Sequence, residues 1–143
     1  MGRKYKFHDH TKLYFVTFTV INWIDAFIRE EYRNIVYQSI AYCQQHKNME
    51  VYAYCIMTSH IHMIIGTETG NLSDIVRDFK SYTSRQIRIE LEKSNTESRK
   101  EWMLWMFKRA GIKNERNIDF QFWMQNNHPV ELDNFEKTQQ RLN

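Results

Sequence analysis

His60 and His62 stand two residues apart within Ser59-His60-Ile61-His62-Met63-Ile64, a run rich in β-forming residues. Strand side chains alternate between faces, so both imidazoles point one way while Ile61 and Met63 point into the opposite layer. Two imidazoles on one face of a stiff strand make half of a divalent-metal site. A metal held there can polarise a phosphodiester, and nucleic-acid cleavage is the chemistry the pair points to. Taken alone, such a pair is more often two ordinary histidines on a partly exposed strand. The rest of the site has to come from elsewhere in the chain.

The surrounding pattern supplies elements to hold the pair. Residues 1–11 form a polar, charged arm, and Leu13 to Ile21 alternates as a strand. Tyr14, Val16, Phe18 and Val20 take one side of it; Phe15, Thr17, Thr19 and Ile21 take the other. The Thr17/Thr19 face is the more polar and suits the floor of a site. A linker with Trp23 and Phe27 leads to a helix from Glu30 to His46, striped by Tyr32, Val36, Ile40 and Cys43. Val51–Met57 and Ser59–Thr67 are too close in sequence for anything but a hairpin. Asn71 can cap the next helix, whose stripe is Leu72, Val76, Phe79, Thr83, Ile87 and Leu91. Ser98-Arg99-Lys100-Glu101 has capping-box spacing and opens a short aromatic helix through Phe107, which Gly111 can end. Ile118–Met124, with Phe120-Gln121-Phe122-Trp123, reads as a fourth strand. Asn126 to Pro129 is a turn, and Asp133 can cap a last helix. This order, β-α-β-β-α-(α)-β-α, predicts an α+β fold of the ferredoxin-like split βαβ type. It is a four-stranded antiparallel sheet with helices on one face, and the histidine strand is central.

Composition narrows the classes. The 143 residues suit one domain, and 42% hydrophobic with 15% aromatic content argues against disorder. A net charge of +3 permits a nucleic-acid partner without requiring one. Cys43 and Cys55 lie in apolar segments without metal-motif spacing and read as two buried, reduced thiols. No apolar run approaches the ~20 residues of a membrane span, and no signal-peptide core opens the chain, so a cytoplasmic protein is expected.

Several segments together carry a family resemblance. They are Phe15-Val16-Thr17-Phe18-Thr19, Tyr54-Cys55-Ile56-Met57-Thr58-Ser59-His60-Ile61-His62, Asn71-Leu72-Ser73-Asp74-Ile75, Phe79-Lys80-Ser81-Tyr82-Thr83-Ser84, and Phe122-Trp123 with Asn127-His128-Pro129. In this order they resemble the HUH single-tyrosine transposases, most of all the REP-associated tyrosine transposases. The resemblance implies a metal held by His60 and His62, Mg²⁺ or Mn²⁺ with added oxygen ligands, or Zn²⁺. It implies a single-stranded or hairpin DNA substrate cut and rejoined through a 5′-phosphotyrosine. Two departures stand out. Ser59 replaces the family's asparagine before the first histidine, an exchange of one short polar residue for another. The family's last helix also carries its nucleophilic tyrosine and a polar ligand, and no matching motif follows Asp133. The nucleophile is therefore expected just beyond Asn143, and the 143 residues alone are not expected to cleave efficiently.

Other candidates are secondary. His128 and Gln125 are outside candidates for a third ligand, and Tyr82 is a fallback nucleophile on the edge of its helix stripe. Arg77, Lys80, Arg85 and Arg88 offer phosphate contacts, against the alternative of a solvated helix face. Trp123 and Phe120 offer stacking on unpaired bases, against core packing. His8 and His10 share the spacing of the central pair but sit in the polar arm. Trp102, Trp105, Met103 and Met106 suit packing or a homodimer contact better than a base platform. Two further readings stay open. One is a non-catalytic nucleic-acid-binding domain of the same fold, and the other a metal-free module that dimerises through the tryptophan-rich helix.

Overall fold

The structure is a computed structural model that describes residues 7, 9–114 and 119–132. Strand β1 (Leu13–Thr19) leads through two short 3₁₀ turns, Ile21–Trp23 and Ala26–Ile28, into helix α1 (Glu30–His46). Strands β2 (Glu50–Ile56) and β3 (His60–Gly66) form the hairpin, followed by helices α2 (Leu72–Lys93) and α3 (Lys100–Lys113) and strand β4 (Val130–Leu132). The sheet order is β2-β3-β1-β4 with every neighbouring pair antiparallel. This is the expected α+β arrangement, and β3 takes the expected central place.

The register explains the layering. Tyr14, Val16 and Phe18 of β1 and Ile61, Met63 and Ile65 of β3 are all buried on one side of the sheet. On α1, Tyr32, Val36, Ile40 and Cys43 are buried, and on α2 the stripe from Leu72 to Leu91 is buried as its spacing predicts. Phe79 of α2 meets Phe18 of β1 with ring centroids 5.5 Å apart, joining helix layer to sheet. Each such fully buried aromatic contributes about 2–3 kcal/mol of transfer free energy. Asn71 caps α2 by accepting from the Asp74 N–H at 3.2 Å. His10 of the polar arm accepts the Leu72 N–H at 3.1 Å and satisfies a second open donor of the same helix end.

The C-terminal third departs from expectation. The Ser98 capping box does not form: α3 begins at Lys100, and the Glu97 carboxylate accepts from the Arg99 N–H at 3.2 Å. Glu97 is held by Arg29 at 3.1 Å and Arg99 at 3.5 Å, and Ser94 Oγ accepts the Glu97 N–H at 3.1 Å, so a charge network and Ser94, not Ser98, organise the α2–α3 link. Gly111 does not end α3 but lies inside it. A Cβ there would fall 2.2 Å from the Phe120 backbone nitrogen, so the glycine is needed for a close crossing.

Residues 120–123 are not the fourth strand. Their backbone is shared between neighbours: Gln121 N–H donates to Phe107 O, Ile21 N–H to Phe122 O and Met124 N–H to Thr19 O. Only one isolated bridge, Val20 with Trp123, results. The edge beside β1 is taken by β4, with Leu13 opposite Leu132 and Phe15 opposite Val130. The helix expected from Asp133 lies outside the described residues. Cys43 is buried as expected, whereas Cys55 is exposed on the edge strand β2.

Candidate functional site

The β1–β3 register sets Thr17 opposite His62 and Thr19 opposite His60. Because Ile61 and Met63 enter the core, the two imidazoles share the opposite face, with centroids 4.7 Å apart and planes at 71°. Thr17 Oγ1 lies 3.0 Å from His62 Nδ1. Ser59 Oγ lies 3.2 Å from His60 Nδ1, so the residue replacing the family asparagine makes an orienting contact. With each Nδ1–H donating to its hydroxyl, both Nε2 atoms carry the lone pair that a metal needs. Phe15 stacks on His62 at 5.3 Å and 22°, and Trp23 meets His60 edge-on at 5.4 Å.

Burial, followed by the neighbouring His60, pushes the His62 pKa below its ordinary value of 6.5. His62 is therefore neutral near pH 7, as ligation requires. The chemistry of this donor pair fits a divalent metal. Among the described residues, no group of three or more His, Cys, Asp or Glu side chains that could hold a metal ion gathers anywhere. Asn127 O accepts from Thr17 N–H at 2.9 Å, which places the turn carrying His128 at the β1 flank of the site. His128 itself adopts a left-handed backbone, φ 45°, and its N–H is turned onto Asn126 Oδ1. Gln125 lies in a different place, in the groove along α2.

That groove brings together Arg77, Lys80, Arg85, Arg88 and Trp123 in a space of about 680 Å³. Their roles within it differ. Arg77 is paired with Asp74 and Asp78, and Arg88 with Glu92 and Asp119. Lys80 Nζ donates to Met124 O at 2.8 Å and Asn127 Oδ1 at 2.6 Å, and burial pushes its pKa down to about 8. It ties the 124–127 segment to α2. Trp123 is 4% exposed, and its indole N–H donates to Thr83 Oγ1 at 2.9 Å. Packed on Phe18, Phe27 and Phe122, it is a core residue that cannot stack on a base without leaving the interior. Phe120 is likewise buried, under the Arg88 guanidinium.

Tyr82 lines a cleft between α1 and α2 with Tyr42 and Cys43. It belongs to the helix layer, and the sheet stands between it and the histidines. Trp23 falls in a linker of the sequence, and nothing in the periodicity distinguishes it. Only its position after the end of β1 brings it to His60.

A family model described as transposase IS200 like matches residues 10–108, and the chain belongs to this family of transposases. Among solved structures, it is similar to a REP-associated tyrosine transposase bound to a REP hairpin. That match has a TM-score of 0.65 and 12% identity, covering 99% of this chain and 68% of the other. A transposase-like protein of Deinococcus radiodurans R1 is also similar, with a TM-score of 0.53 and 14% identity, covering 99% and 92%. At these identities the structural likeness concerns the fold. No curated protein matches the sequence. No helix among the described residues is long and apolar enough to cross a membrane.

Proposed function

We propose that this chain is the DNA-handling domain of a strand-transfer enzyme that cuts and rejoins single-stranded or hairpin DNA, with His60 and His62 as metal ligands at the scissile phosphate. The observation that carries this reading is the pair of imidazoles on one sheet face, each with Nδ1 engaged by a hydroxyl and Nε2 without a hydrogen-bond partner among the described residues. A divalent ion bound there, Mg²⁺ or Mn²⁺ with further oxygen ligands or Zn²⁺, supplies charge neutralisation at the phosphate oxygens.

The chain's own groups do the rest of the positioning. Thr17 and Ser59 orient the rings, and Phe15 restricts the His62 ring by stacking. The depressed His62 pKa keeps that ring from competing for a proton at neutral pH. Along α2, Arg77 and Arg88 are held by carboxylates and Arg85 by Ser81, so the phosphate contacts of this reading are not placed there. The REP hairpin held by the structurally similar transposase supports DNA as the partner.

The attacking tyrosine, in this reading, is supplied from outside these 143 residues. The last tyrosine in the sequence is Tyr82, and it lies in the helix layer. Titration with Mn²⁺ should broaden the His60 and His62 NMR signals and leave His46 unchanged; unmoved signals sink the metal assignment. Incubation of the chain with metal and a labelled single strand should give no denaturant-stable adduct. An adduct lost in Tyr82→Phe would refute this placement of the nucleophile.

A second reading, a nucleic-acid-binding domain that does not cut, is favoured by the two-membered ligand set among the described residues. It is supported if DNA affinity survives His60→Ala and His62→Ala while metal has no effect on binding.

A further inference from the structure

The Ile21–Trp23 turn holds two consecutive non-glycine residues in the left-handed region, Asn22 at φ 55° and Trp23 at φ 56°. Such a backbone costs free energy and persists only where its surroundings enforce it. Here it delivers an indole that is 60% exposed, and its one ring contact among the described residues is the edge of His60. A large apolar ring held in solvent by a strained backbone beside a candidate metal ligand is not explained by packing.

The same turn forms one wall of a groove of about 390 Å³ against α3. Ile21 and Asn22 line one side; Met106, Arg109, Ala110 and Lys113 line the other. Arg109 and Lys113 differ from Arg77 and Arg88 of α2, because among the described residues neither is paired with a carboxylate. Arg109 also lies over the Trp105 ring at 5.1 Å, and Trp105 is 54% exposed. Trp23, which follows Asn22 in the chain, thus stands between His60 and the groove, and Arg109 of the groove's far wall carries Trp105 beside it.

We propose that this surface is a track for single-stranded nucleic acid. Trp23 is the stacking platform for the base next to the scissile phosphate, Arg109 and Lys113 contact the phosphates that follow, and Trp105 is a second stacking face. The track deepens the strand-transfer reading and rests on it. Alternating aromatic rings and unpaired cations are the chemistry by which unpaired strands are held without base readout. A second copy of the chain fits this face less well, since a two-fold contact would set Arg109 and Lys113 against their own copies.

Anisotropy of a labelled single-stranded oligonucleotide, titrated with the full chain across a salt series, tests the track. Trp23→Ala should weaken binding about tenfold, whereas Trp23→Phe keeps most of it. The pair Arg109→Ala/Lys113→Ala should reduce the slope of log K against log salt by about 1.4, the value for two single-strand phosphates. Thermal melts of the same variants should match the parent, since all three side chains are on the surface. Unchanged affinity and slope in both variants overturn the track. So does an equal loss on duplex DNA, a parent chain that binds no single strand, or a variant-dependent monomer–dimer shift in sedimentation. Mn²⁺ broadening of His60 and His62 in the parent chain reports separately on the strand-transfer reading, so the failure of one is distinguishable from failure of the other.

Discussion

The open face of β3 and the groove along α2 both gather residues suited to a polyanion, but they hold them in opposite ways. On β3 each histidine uses one ring nitrogen internally, and the other has no hydrogen-bond partner among the described residues. Along α2 the polar atoms are largely satisfied within the chain: Arg77 and Arg88 by carboxylates, Lys80 by a turn, Trp123 by Thr83. A sheet ladder fixes a side chain from behind and leaves its far end available. A helix face packed against a non-repetitive segment draws its side chains into holding that segment. Residue type and proximity alone therefore do not separate a ligand site from a structural clasp; the inventory of partners does.

The largest test of this contrast is Trp123→Ala. If the indole is structural, it should cost about 3–5 kcal/mol in denaturant unfolding. A variant that keeps its stability and loses DNA affinity would move Trp123 to the functional side. Next is Thr17→Val, which removes the hydroxyl behind His62. It should lower metal affinity about 10- to 100-fold while leaving the fold intact, as read by Mn²⁺ titration and thermal melting. An unchanged affinity would show that the ring needs no orienting partner.

The smallest effect is a pH dependence. His62 has a depressed pKa in the fold, so the unfolded chain binds more protons as pH falls through 6.5. The metal-free chain should then lose stability on acidification from about pH 6.5 until the folded-state pKa has been passed. This component should vanish in His62→Gln. A pH-independent difference between the two chains over that window would contradict a desolvated imidazole.

The repetitive elements were legible because their periods match what buries them. The stripe from Leu72 to Leu91, the α1 stripe and the alternation of Tyr14, Val16 and Phe18 each mark a buried face. That Thr17 and Thr19 share a face of the sheet with His60 and His62 was readable from the same alternation. The segment from 120 to 123 misled because its apolar run is spread over three neighbours, Phe107, Thr19 and Ile21, rather than over one ladder. Ser98 misled because a buried glutamate one residue earlier serves the helix start instead. Trp23 left no pattern at all, since its place depends on two left-handed residues at the end of a strand.

The sequence by itself determined the layer order and the side of the sheet on which His60 and His62 stand, because both follow from local periodicity and strand alternation. Tertiary structure alone decided which hydroxyls orient those rings and which cations are already paired. It alone brought Trp23 and α3 alongside the site. Those outcomes depend on contacts between residues tens of positions apart, such as Thr17 with His62 and Lys80 with Asn127, and no local pattern encodes such pairings.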